Sequence, residues 1–215
     1  VTPYYQDDFT TLYCADNREI LPTLGRFDLL LTDPPYGLAD TLSGGTWGDV
    51  EGGGFSWDQA APNPDAAIAR AGTAIIWGGN YFTVPPSRCW LSWFKPNAVA
   101  TQSDMEMAWT NMDRPSKMFS WPTGGSGPKR QHPTEKPLPL MTWCLGFVPG
   151  AKTCLDPWAG SGTTGVACKL RGVHCTMIER EERYCKIIVE RLRQGVLLPL
   201  PPAPAPAPDQ QPTLF

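Results

Sequence analysis

Four consecutive residues, Asp33-Pro34-Pro35-Tyr36, offer a complete device for handling an aromatic amine. The exocyclic amine of a nucleobase is a poor nucleophile because its lone pair is delocalised into the ring. Acceptors placed on both N–H groups localise that pair and direct it toward an electrophile. Asp33 brings a carboxylate and Pro34 a main-chain carbonyl. The two prolines restrict the backbone, so these acceptors are set before a substrate arrives. Tyr36 adds a flat face on which an extruded base can stack. Pro-Pro recurs at 85–86 and 201–202, so the dipeptide alone carries little, and a rigid turn without chemistry is the competing reading. The apolar run Phe27–Thr32 directly ahead, and a second motif elsewhere in the chain, weigh against that turn.

The second motif runs from Cys154 to Gly165. Gly160, Gly162 and Gly165 satisfy G-x-G-x-x-G, Thr163 opens a helical pattern, and Glu179 ends the following apolar run, where a ribose diol would be held. A nicotinamide or flavin cofactor fits those features, and so does a tight turn whose glycines serve packing only. Asp156, just ahead of the glycines, opposes the first. A carboxylate there repels a pyrophosphate and attracts an ammonium group. A cofactor with a cationic amino acid at one end and an adenosine at the other satisfies both acids. S-adenosylmethionine has that constitution.

These residues need an α/β frame to position them. Phe27–Thr32, Thr73–Trp77, Cys89–Phe94 and Met105–Thr110 read as strands. After Pro137 the pattern predicts helix (Leu138–Phe147), strand (Thr153–Asp156), glycine loop, helix (Thr163–Leu170), strand (Val173–Glu179) and helix (Glu182–Leu192). That succession is the βαβ unit of a doubly wound, mostly parallel sheet flanked by helices. Residues 37–65, rich in Gly, Asp and Trp, read as a mobile loop, and 111–131 as an irregular segment. Residues 1–198 are expected to form one domain, followed by a disordered Pro/Ala-rich tail over 199–215. No internal repeat is evident.

Composition narrows the class. A chain of 215 residues, 41% of them hydrophobic, has room for one sizeable core. No apolar run approaches a membrane span, and the N-terminus does not read as a signal peptide, so a cytoplasmic protein is expected. None of the seven cysteines forms a C-x-x-C pair, and there are only two histidines, so reduced thiols and no metal site are expected. The net charge of −3 argues against a general nucleic-acid binder, but it averages unlike regions. Residues 1–84 carry three basic and eleven acidic side chains, whereas 85–136 carry seven basic and four acidic ones. Arg88, Lys95, Arg114, Lys117, Lys129 and Arg130 are therefore candidates to face a phosphate backbone; an ordinary solvated surface is the alternative.

Taken together, the segments Asp33–Tyr36, Trp77–Phe82, 132–137 (His-Pro-Thr-Glu-Lys-Pro) and Asp156–Thr164 followed by Glu179 resemble the DNA amino-methyltransferases. The arrangement is the beta order, in which Asp-Pro-Pro-Tyr precedes the cofactor loop. The match is to the small adenine-N6 enzymes of phages and prophages, and it covers roughly residues 10–194. The resemblance implies a Rossmann-like methyltransferase fold and methyl transfer from S-adenosylmethionine to adenine N6 of double-stranded DNA, by base flipping and direct displacement. It places Asp33, Pro34, Pro35 and Tyr36 at the target base. It places Asp16, Asp33, Thr134, Lys136, Asp156, Trp158, Gly160, Gly162, Thr163 and Glu179 around the cofactor. Asp16 takes the position of an acid near the cofactor adenine, and Thr134 and Lys136 belong to a segment approaching its methionine end. Trp158 departs from the usual Phe. The chain leaves little room for a separate target-recognition domain, so a short site, relaxed specificity or a homodimer is expected.

Cytosine-N4 methylation is the rival within the same chemistry, and RNA or protein-glutamine methylation a more distant one. A nucleic-acid or clamp-binding module with a vestigial pocket is the reading from another class. The last residues, Gln211-Pro212-Thr213-Leu214-Phe215, resemble the short motif by which bacterial proteins bind the sliding clamp. Gln211, Leu214 and Phe215 would carry that contact at the tip of a tether.

Overall fold

The structure is a computed structural model that describes residues 1–38, 61–99, 103–123 and 135–194. Among them nine strands form one sheet, in the order β1-β2-β9-β8-β3-β4-β6-β5-β7. The strands are β1 (Tyr5–Asp7), β2 (Thr10–Cys14), β3 (Phe27–Thr32), β4 (Ala71–Trp77), β5 (Trp90–Phe94), β6 (Met105–Thr110), β7 (Lys117–Ser120), β8 (Thr153–Asp156) and β9 (His174–Glu179). The helices are α1 (Asn17–Ile20), α2 (Asp65–Ile68), α3 (Leu138–Leu145), α4 (Thr163–Leu170) and α5 (Glu182–Arg193).

The middle of the sheet, β2-β9-β8-β3-β4, is parallel throughout. Strands buried on both faces read as continuous apolar runs, which is why Phe27–Thr32 shows no alternation. Leu29 and Leu31 join Ile75, Trp77, Leu140, Cys168 and Ile188 in the core under α3, α4 and α5. Leu30 joins Ala74, Ile76, Ile20 and Ala67 in the core under α1 and α2. α5 buries Tyr184, Cys185, Ile188 and Leu192, spacings that keep one helical face inward. The mostly parallel, helix-flanked sheet agrees with the expected fold class.

Topology places the site. From β3 the chain continues to β4 on one side, and from β8 to β9 on the other, although β3 and β8 are neighbours. Their carboxyl ends therefore border the switch point where ligands bind in doubly wound sheets. Thr32 at the end of β3 donates through Oγ1 to Asp156 at the end of β8, 2.7 Å away. The edge beyond β4 departs from a parallel sheet, since β6 runs antiparallel to both β4 and β5.

Several expectations are corrected. Residues 111–131 are not irregular throughout, because Lys117–Ser120 forms the edge strand β7 beside β5. α2 begins at Asp65, inside the last residue assigned to the 37–65 loop, and 39–60 lie outside the described residues. β1, β2 and α1 were not expected at all. A strand of three residues and a helix of four are too short to show a period. The tail, 199–215, lies outside the described residues. No helix among the described residues is long and apolar enough to cross a membrane.

Candidate active site

A cavity of about 1360 Å³ opens at the carboxyl ends of the parallel strands. It gathers residues from distant parts of the sequence: Asp16, Asp33, Tyr36, Lys136, Asp156 and Glu179 all line it. Pro34, Pro35, Trp158, Gly160 and Thr163 share its wall.

On the glycine-loop side, Gly160 and Gly162 adopt φ of +52° and +80°, the left-handed region that turns the chain from β8 into α4. A side chain at Gly162 would also collide with Ile188, so both the turn and the seating of α5 need this glycine. The Glu179 carboxylate accepts the amides of Gly160 and Glu181, each at 2.8 Å. Burial, only partly offset by those amides, raises its pKa. Asp156 is 2% exposed, and burial pushes its pKa up to about 7. Its acceptor bonds come from neutral donors, the Thr32 and Thr164 hydroxyls and the Trp158 amide. Asp16 caps α1 and pairs with Arg18, whose hydrogen bonds pull its pKa down to about 2. Arg191, reaching from α5, donates to the Ser161 carbonyl and hydroxyl at 2.8 Å and pairs with Glu135 at 2.8 Å, tying the loop to the helix behind it.

On the other side, Asp33 and Tyr36 follow β3. The Tyr36 hydroxyl donates to Asp33 Oδ1, and the ring stacks on Tyr81 with centroids 4.9 Å apart and planes 16° from parallel. The ring lies so close over Gly78, itself at φ +71°, that a Cβ there would sit 2.0 Å from Tyr36 Cε1. The Trp77–Phe82 segment thus shapes the floor beneath Tyr36. Lys136 Nζ lies 2.6 Å from Asp33 Oδ2, 3.1 Å from the Tyr36 hydroxyl and 3.0 Å from Glu106 Oε2. Glu106 in turn pairs through Oε1 with Lys95, 2.6 Å away. Burial raises the Asp33 pKa, with help from Glu106 and against Lys136. Burial would lower Lys136, but Asp33 and Glu106 outweigh it and hold the ammonium charged. Burial would likewise raise Glu106, and the two lysines overcome it.

Other expected residues fall elsewhere. Lys95 is one of the candidate phosphate contacts, yet its side chain is only 10% exposed and is spent on Glu106 inside the cavity. Arg88, Arg114 and Lys117 sit at the other end of the sheet, because β5 and β7 begin, and β6 ends, away from the cavity. There Arg88 pairs with Asp113 and the Arg114 guanidinium lies over the Phe147 ring. Among the described candidates, Arg88, Arg114 and Lys117 therefore do not lie beside the cavity. Lys129, Arg130, Thr134, Gln211, Leu214 and Phe215 lie outside the described residues. Glu106, Tyr81 and Arg191 were missed as individual site residues. Only strand register and helix docking bring them to the site.

The donor set suits S-adenosylmethionine. Asp156 is a buried carboxylate whose acceptor bonds come from neutral donors, beside a glycine turn and an apolar Trp158, with a second, half-buried acid at the end of β9. An ammonium at one end and a ribose at the other match those two acids.

Comparison with known proteins agrees. Residues 76–190 match the sequence profile of the N6_N4_Mtase family, described as DNA methylase. The chain is 25% identical over 252 residues to the type II methyltransferase M2.LlaDCHI of Lactococcus lactis subsp. cremoris, covering 90% of this chain and 93% of that one. It is 22% identical over 253 residues to the type II methyltransferase M.ScaI of Streptomyces caespitosus, covering 88% and 83%. Among solved structures, M1.HpyAVI in complex with S-adenosylmethionine shares the fold with a TM-score of 0.53 at 24% identity, over 85% of this chain and 98% of that one. The PvuII DNA methyltransferase, described as cytosine-N4-specific, shares it with a TM-score of 0.63 at 14% identity, over 88% of each chain. With more than half its length inside the family match, and its two acids and glycine turn suited to the cofactor, the chain belongs to the N6_N4 family of S-adenosylmethionine-dependent DNA methylases.

Proposed function

We infer that the base modified is adenine, at N6. The observation that carries this reading is the Asp33 carboxylate, delivered by β3 into the same cavity as Asp156 and Glu179. In the family this chain resembles, Asp at the first position of the four-residue motif goes with adenine and Ser with cytosine. S-adenosylmethionine, when bound, supplies an electrophilic methyl group. Asp156 would hold its ammonium and Glu179 its ribose; Asp16, Trp158, Gly160, Gly162, Thr163 and Lys136 would complete the surround. Asp33 and the Pro34 carbonyl accept from the two N–H groups of the target amine, and Tyr36 stacks on the base.

The test is methyl transfer from labelled S-adenosylmethionine to unmethylated bacterial DNA, with nucleoside mass spectrometry as readout. The parent should yield N6-methyladenine, and Asp33→Ala should lose at least about a hundredfold in rate. N4-methylcytosine in the digest would transfer the same mechanism to the other base and overturn the assignment.

A further inference from the structure

We propose that Glu106 is a positioning residue that locks Lys136 against Asp33 and so fixes the carboxylate that receives the target amine. This rests on the reading of Asp33 as that acceptor. Lys136 donates to Asp33 Oδ2 and to the Tyr36 hydroxyl, while Glu106 Oε2 stands 3.0 Å away as a buried ionic partner that makes no aligned hydrogen bond. Lys136 is 5% exposed, so its charge and direction are set by these partners rather than by water. Glu106 is held on its far side by Lys95, which reaches in from the end of β5. The result is a row, Lys95–Glu106–Lys136–Asp33, of two cations and two anions without net charge, an arrangement that burial tolerates.

Each link has a consequence. With Glu106 removed, Lys136 loses an anionic partner 3.0 Å away, and its hold on Asp33 Oδ2 is fixed less tightly. Glu106 cannot itself take the amine proton from Asp33's position, because Lys136 stands between the two carboxylates. Among the described residues, the charged and titratable groups facing Asp33 are Tyr36 from its own turn, Lys136 from the segment ahead of α3, and Glu106 from β6. Lys95 stands behind Glu106, and Tyr81 faces the Tyr36 ring.

Two variants of the full chain separate positioning from mere structural support. Glu106→Gln keeps the shape and removes the negative charge, and Lys95→Gln removes the outer positive charge. Both are compared with the parent and with Asp33→Ala in single-turnover methyl transfer to unmethylated bacterial DNA, between about pH 4 and 9. Cofactor affinity and thermal melting are measured alongside. Glu106→Gln should lose about tenfold to a hundredfold in rate, with S-adenosylmethionine affinity kept within about threefold. Loss of a neighbouring anion lowers the pKa of Asp33, so the acid limb of its pH profile should move down, by about one pH unit. Lys95→Gln removes a cation instead, and its acid limb should move up by a smaller amount.

A folded Glu106→Gln protein with the parental rate, or with a reduced rate and an unmoved acid limb, overturns the proposal. Should Glu106→Gln fail to fold, the upward movement in Lys95→Gln decides alone, and an unmoved acid limb there counts against the proposal. If Asp33→Ala methylates as the parent does, the reading of Asp33 fails, and the role of Glu106 falls with it. A parent-like Glu106→Gln beside an inactive Asp33→Ala overturns the role of Glu106 and leaves Asp33 in place.

Discussion

Asp33 and Asp156 are both aspartates at the ends of neighbouring parallel strands, yet their surroundings assign them opposite partners. Asp33 meets a lysine ammonium at 2.6 Å, whereas Asp156 receives hydroxyls and an amide. Asp156 therefore retains the capacity to hold a cation supplied by a ligand. Its pKa near 7 lies above the 3.8 of an exposed aspartate, so the stability of the free protein falls as pH rises from about 4 to about 7, with the full cost present above 7. That burden lifts progressively as pH falls from about 7 to about 4. Cofactor binding runs the other way, because the ammonium needs the ionised form. S-adenosylmethionine should bind several-fold more tightly at pH 8 than at pH 6, and Asp156→Asn should bind weakly and lose most of that dependence; titration calorimetry at the two pH values reads both. Gly78 makes a second residue-scale prediction. Its φ of +71° and the Tyr36 ring over it leave no place for a Cβ. Gly78→Ala should cost about 1–3 kcal/mol in urea unfolding and displace Tyr36, lowering methyl transfer more than cofactor affinity.

At the scale of elements, the glycine turn owes its position to α5 as much as to β8. Arg191 lies on the last turns of α5 and spends one guanidinium nitrogen on Ser161 and Glu135. The contact joins the loop after β8 to the segment ahead of α3, two pieces that lie on opposite sides of the cavity floor in sequence but share one anchor. Arg191→Met keeps much of the stem and deletes the donors. It should weaken S-adenosylmethionine binding by about tenfold, or 1.4 kcal/mol, and cost about 1–3 kcal/mol of stability. Unchanged affinity in a folded variant would show that the turn is held by its glycines and by Ile188 alone. The antiparallel insertion of β6 between β4 and β5 has a similar effect on the other side, since it presents Glu106 from β6 and Lys95 from β5 to one point.

For the whole molecule, the cavity sits at one end of the sheet, and the ends of β5, β6 and β7 next to Arg88, Arg114 and Lys117 sit at the other. Those three residues do not line the cavity. A further means of reaching DNA is proposed from sequence alone, through Gln211, Leu214 and Phe215 at the end of the Pro/Ala-rich stretch. A tether raises effective concentration without adding contacts to the folded part. The full chain should co-precipitate with purified bacterial sliding clamp, and Leu214→Ala with Phe215→Ala should abolish this while leaving methyl transfer on short duplexes unchanged. Failure of the intact chain to bind the clamp would end that proposal.

The sequence by itself determined what local chemistry determines. Phe27–Thr32 had to be a buried strand because its side chains are apolar on both faces, and β8, α4 and β9 are legible because glycines and short apolar runs punctuate them. Asp33–Tyr36, Asp156 and Glu179 could be read as a pair of motifs because each lies at the end of such a strand. Tertiary structure alone decided where the charges went. Lys95 and Glu106 are eleven residues apart, and nothing in their spacing distinguishes them from a solvated pair. Antiparallel pairing of β5 with β6 puts them side by side, and the docking of the segment before α3 adds Lys136. Such register is fixed by hydrogen bonds between strands far apart in the chain and by the burial of alternate side chains, and it brings Lys95 into the wall of the cavity.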